Sequence, residues 1–86
     1  MNKGKILVAD DDREIAGAIE KLLAMEGYEV IKAYNGMEAL DMMVSHQVNL
    51  IILDIMMPRL DGLSTMMKIR DSKNIPIILL SAKSED

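Results

Sequence analysis

The sequence contains no cysteine, phenylalanine or tryptophan, and its only aromatic residues are Tyr28 and Tyr34. Without cysteine there is no disulfide framework and no thiolate metal site, which fits a reducing, cytoplasmic setting. Without large aromatics, a core has to be assembled from Leu, Ile, Val, Ala and nine Met. Basic charge is short as well. Ten Lys and Arg against fourteen Asp and Glu leave a net charge of −4, so the chain offers no basic face to nucleic acid. Apolar runs such as Val48–Leu53 fall far short of the ~20 residues that a membrane span needs. The opening "MNKGK" leads straight into a strand-like stretch and lacks signal-peptide organisation. These absences imply a soluble cytoplasmic domain that binds neither membrane nor nucleic acid directly. Eighty-six residues, half of them hydrophobic, suffice for one small domain.

What is present is an alternation of short apolar runs and helical periods. "KILVA" (Lys5–Ala9) reads as a continuous apolar strand ended by acids. Ile15, Ile19, Leu22 and Leu23 then recur at helical spacing, with Asp12 as N-cap and Gly27 as the C-terminal stop. Tyr28–Tyr34 is a β-branched second strand, and Asn35-Gly36 opens a helix in which Met37, Leu40, Met43 and Val44 share a face. Val48–Leu53 is a third strand, apolar enough for burial on both sides and ending at Asp54. "IMMPRLDG" is a loop, because Pro58 breaks regularity and Asp61-Gly62 signals a turn. Leu63, Met66, Met67 and Arg70 mark a third helix, and Ile75–Leu80 a fourth strand. The order βαβαβαβ implies an α/β fold: a parallel sheet in three layers, with right-handed crossovers and helices on both faces.

In such a sheet, ligands sit beyond the carboxyl ends of the strands. Asp10, Asp11 and Asp12 follow the first strand, Asp54 the third and Ser81 the fourth, so all fall at one edge. A lone Asp after a strand is most often a cap or turn former, and Asp12 fits that role. Asp10, Asp11 and Asp54 do not, because converging carboxylates raise one another's pKa unless a cation lies among them. A hard divalent ion with oxygen ligands, Mg²⁺ above all, answers that need, with the Met56 carbonyl as a neutral ligand. Ser81 adds a hydroxyl donor toward an anion on the metal. Together these groups make a phosphoryl-acceptor site.

"KILVADDDREI", "LIILDIMMPRLDGL" and "IPIILLSAK" resemble, in order, the signature stretches of the receiver domain of two-component response regulators. The resemblance covers the whole chain, residues 1–86. It implies a flavodoxin-like fold with the strand order 2-1-3-4, cut short before the fifth βα unit. It makes Asp54 the phosphoacceptor for a sensor histidine kinase, Asp11 a direct Mg²⁺ ligand and Asp10 a ligand acting mostly through water. Ser81 matches the residue that bonds the phosphoryl oxygen, and Ala82 the small residue beside it. The family's fifth strand carries a Lys that pairs with the phosphoryl group, and Lys83 lies too close to Ser81 to replace it. The role expected is regulatory, not enzymatic. An edge strand as apolar as Ile77–Leu80 further implies either a marginally stable, aggregation-prone chain or a homo-oligomer through strand four.

Rival readings are weaker. A haloacid-dehalogenase-like phosphohydrolase also places Asp-x-Asp after its first strand, as Asp10 and Asp12 do, but Glu14 stands where that family uses a small residue. A nucleotide binder would need a Gly-rich phosphate loop, and three Asp would repel the phosphate. A pure interaction module would have no use for the acids, Asp54 and Ser81. His46 reads as a surface residue, and the Met stripes (Met37, Met42, Met43; Met66, Met67) as core filler.

Overall fold

In a strand, successive side chains point to opposite faces, so a strand apolar at every position has to be covered on both sides. The computed structural model, which describes residues 3–80, resolves that demand with three layers. The elements are β1 (Lys5–Ala9), α1 (Arg13–Met25), β2 (Glu29–Ala33), α2 (Gly36–Ser45), β3 (Leu50–Asp54), α3 (Gly62–Arg70) and β4 (Ile77–Leu80). The four strands are parallel in the order β2-β1-β3-β4, as the sequence implied. Ile6 and Val8 of β1, with Leu50 and Ile52 of β3, face α1, where Ala16, Ile19 and Leu23 cover them. Leu7, Ala9, Ile51 and Leu53 face the other way, under Ala39 and Met43 of α2 and Ile69 of α3. Leu7, Val8, Ile51 and Leu53 are fully buried, and each such side chain contributes about 1.5–3 kcal/mol.

Helix ends follow the capping residues. Asp12 Oδ1 accepts the N–H groups of Glu14 (3.0 Å) and Ile15 (3.2 Å) and starts α1. Gly27, at φ +100°, ends it: its N–H donates to the Ala24 carbonyl, and the Tyr28 N–H to the Leu23 carbonyl. Asn35 caps α2 through the Glu38 N–H (2.9 Å), and Asp61 caps α3 through the Ser64 N–H (2.8 Å).

Some elements depart from the sequence-based expectation. β3 begins at Leu50 because the Asn49 side chain takes the Lys5 N–H (2.8 Å) and so substitutes for a ladder partner. It ends on Asp54, one residue later than expected. Val44 is 88 % exposed and Met67 66 %, so neither fills the core, and Met37 is exposed too. Their stripes are broader than the arc each short helix lays on the sheet. His46 is the C-cap of α2, with Nδ1 3.1 Å from Lys5 Nζ, and so has a partner at the sheet's amino edge. β4 pairs with β3; Ile78, on the α1 side, is half-exposed because α1 lies over β1 and β2. Among the described residues, no helix is long and apolar enough to cross a membrane.

Candidate functional site

The sheet register builds the site. Ala9 pairs with Leu53, so the next residues, Asp10 and Asp54, stand side by side where the strands end. Alternation gives both the parity of Val8 and Ile52, which directs them to the side on which α1 begins. Asp11 joins them, and one carboxylate oxygen from each of Asp10, Asp11 and Asp54 lies within 4.8 Å of the others. Asp10 and Asp54 are buried, at 4 % and 2 % exposure, while Asp11 is exposed. A cleft of about 480 Å³ opens over them, lined also by Asp12, Ile15, Met56 and Leu80.

Local hydrogen bonds use up part of this acid. Asp10 Oδ1 accepts the Asp12 N–H (2.9 Å), and Asp54 Oδ1 accepts the Met56 N–H (3.1 Å). Each buried carboxylate thereby shapes its own turn with one oxygen. Asp11 makes no hydrogen bond among the described residues and is the acid left for a ligand. Burial holds the Asp54 carboxyl above the usual carboxylate range, and the negative charges of Asp10 and Asp11 push the same way, against the Met56 N–H. Oxygen donors of this kind, gathered at one point and mutually repulsive, could hold a hard divalent cation. Asp12 is occupied as the cap of α1, so an Asp-x-Asp phosphohydrolase pair has lost its second member.

The loop after Asp54 is folded back tightly. Met57 is buried in the core while its neighbour Met56 is 61 % exposed beside the acids. Arg59 has φ +70°, and the Leu60 N–H donates across it to the Pro58 carbonyl (2.7 Å), a strained three-residue turn. Gly62 then donates its N–H to the Ile55 carbonyl (2.9 Å). A Cβ on Gly62 would press on the Asp54 carbonyl oxygen and stand 2.7 Å from Ile55 Cα, so only glycine fits there. A Cβ on Gly36 would likewise meet the Leu60 carbonyl and the Thr65 hydroxyl. Thr65, fully buried, donates that hydroxyl to the Asp61 carbonyl (2.7 Å).

Of the residues singled out from the sequence, Asp10, Asp11 and Asp54 come together and Met56 borders them. Ser81, Ala82 and Lys83 lie outside the described residues. Sequence reasoning did not find the support behind the acids. The Asp10 N–H donates to the Ala33 carbonyl (3.0 Å), and the Arg13 guanidinium lies 3.8 Å over the Tyr34 ring. Arg13 beside a triple acid was the one available signal for the latter.

A family model described as "Response regulator receiver domain" matches residues 6–86. The transcriptional regulatory protein CpxR of Escherichia coli K12 is 40 % identical over 82 residues, 95 % of this chain and 35 % of that one. The chain thus spans about a third of the length of the curated relatives it matches. Among solved structures, the receiver domain of Francisella response regulator 1452 is 38 % identical, covers 96 % of this chain and 69 % of its own, and superposes with a TM-score of 0.89. Response regulator TrrA of Thermotoga maritima, solved in complex with Mg(2+)-BeF, is 44 % identical over 98 % of this chain and 72 % of its own, with a TM-score of 0.88. In sequence, in strand order and in three-dimensional superposition, the chain belongs to the response regulator receiver domain family.

Proposed function

We propose that Asp54 accepts a phosphoryl group from the phosphohistidine of a sensor histidine kinase, and that residues 1–86 act as one receiver unit in that exchange. The observation that carries the reading is the convergence of three carboxylate oxygens within 4.8 Å around a buried Asp54. An Asp54 oxygen forms the new O–P bond as the P–N bond breaks and its electron pair returns to the imidazole, leaving an acyl phosphate. Asp10, Asp11, Asp54 and the Met56 carbonyl are the proposed ligands of Mg²⁺, the ion named with TrrA. When bound, Mg²⁺ neutralises the clustered acid and the charge of the incoming phosphoryl oxygens. The chain's own part is positional: the strand ends fix Asp54, the Met56 N–H holds one of its oxygens, and the core excludes water beneath it. Ser81 is the proposed hydrogen-bond donor to the transferred phosphoryl group.

The partner surface proposed is the outer face of α1. Ile15, Ala18, Leu22 and Met25 are exposed at spacings of three and four, a seam beginning at the lip of the acid cleft. A helical kinase segment packed along that seam would bring its phosphohistidine to Asp54. The test uses a small phosphodonor with Mg²⁺, read by intact mass. One phosphoryl group should appear on the parent and none on Asp54→Asn. Labelling that survives in Asp54→Asn, or continuous turnover of the donor, would reject the reading.

A further inference from the structure

Arg13 is the base closest in sequence to the acids, directly after Asp10, Asp11 and Asp12. A guanidinium there is the natural partner for an exposed carboxylate such as Asp11. Yet Arg13 makes no ion pair among the described residues, where the ion pairs join Lys5 to Glu29 and Lys32 to Glu20. The Arg13 guanidinium instead lies over the Tyr34 ring, its Cζ 3.8 Å from the centroid, well within the range of a cation–π contact. Tyr34 follows β2 directly and is itself fixed, because its N–H donates to Glu38 Oε1 (2.8 Å) in the cap of α2. The aromatic surface that holds the cation therefore belongs to a rigid junction on the β2 side of the acid loop.

We infer that Tyr34 parks the Arg13 guanidinium away from the acid cleft, so that Asp11 stays available to a divalent cation instead of being neutralised by the chain itself. The inference rests on the metal-assisted reading of the site given above. It makes Tyr34 a positioning residue that acts through Arg13 and touches neither ion nor phosphoryl group. The acid loop does not depend on the stack for its attachment, since the Asp10 N–H to Ala33 carbonyl bond (3.0 Å) ties it to β2 independently. Loss of the ring should therefore leave the loop in place and release only the cation. A released guanidinium would compete with Mg²⁺ for Asp11 at the strength of an exposed ion pair, about a three- to fivefold effect.

The experiment titrates Mg²⁺ by calorimetry into the parent, Tyr34→Leu, Tyr34→Phe, Arg13→Gln, the double variant Tyr34→Leu/Arg13→Gln, and Asp11→Asn. Tyr34→Leu should weaken Mg²⁺ about three- to fivefold, Tyr34→Phe should match the parent, and Arg13→Gln should bind as tightly as the parent or slightly more so. The double variant should recover parental affinity, which a purely structural role of Tyr34 would not allow. Unchanged affinity in Tyr34→Leu overturns the inference. So does a loss in Arg13→Gln or Tyr34→Phe, or a loss in Tyr34→Leu that the double variant does not repair. Failure of the underlying reading looks different: the parent then binds no Mg²⁺, or Asp11→Asn binds it equally well.

Discussion

Replacing Asp54 by Asn should stabilise the metal-free protein, although it removes the residue on which the proposed function turns. Unit charges at the 4.8 Å that bounds the carboxylate oxygens repel by about 3 kcal/mol at an effective dielectric constant of 20 and by about 1 kcal/mol in water. The first figure suits buried Asp10, the second exposed Asp11, so Asp54 meets a gross repulsion of about 4 kcal/mol. The Met56 N–H offsets part of it, and Asn keeps an oxygen for that N–H. A net gain of about 2 kcal/mol remains, which in a domain of this size raises Tm by about 8–15 °C. The pH dependence has a definite sign. Burial and like charge raise Asp54 above its unfolded value, so between the two values the folded state binds the proton and the unfolded state does not. The parent therefore gains stability as pH falls through the raised value toward the ordinary carboxylate range, and the advantage of Asp54→Asn shrinks over that window. Thermal melts by circular dichroism in EDTA, from neutral to mildly acid pH, measure both effects. Mg²⁺ should lift the parent more than the variant. If Asp54→Asn melts at or below the parent at neutral pH in EDTA, the electrostatic account is wrong.

Other outcomes follow from individual contacts. Asp11→Asn should weaken Mg²⁺ binding by an order of magnitude or more, since it takes one charged ligand from a set that leaves much of the ion's shell to water; a calorimetric titration gives the ratio directly. Gly62→Ala should destabilise the fold by about 2–4 kcal/mol, because its Cβ has no room beside the Asp54 carbonyl and Ile55; urea denaturation would show it as a lower midpoint at constant slope. Arg59→Gly should do the reverse and add about 0.5–1 kcal/mol, as glycine accepts φ +70° without strain; the same urea titration reads it.

The layering and the acid cluster were legible in the sequence because each follows from a short-range pattern. Fully apolar runs separated by helical periods demand a covered parallel sheet, and acids placed just after its strands must share its carboxyl edge. Asp12 and Gly27 announced the ends of α1 by residue type alone, and both cap it as such residues do. Less legible was anything decided by contact across the sheet. Val44 and Met67 read as core by spacing, yet the sheet is too narrow to receive them and they stay exposed. His46 read as bare surface because Lys5, its partner, is 41 residues away in the chain. The Arg13–Tyr34 stack joins the ends of two different strand–helix units and leaves no local signature. Asp54 closes β3, instead of following it, because it pairs with Leu80 of β4, a partner on another strand.

The two glycine contacts make the site mechanically continuous with its surroundings. The Asp54 backbone touches Gly62 at the first turn of α3; Thr65, one turn on, and Leu60 touch Gly36 at the first turn of α2. At neither glycine is there clearance for a single added carbon, so the backbones stand closer together there than any other residue would permit. A shift of the Asp54 carbonyl would therefore be felt first at Gly62, where α3 starts, and beyond α3 at Gly36, where α2 starts.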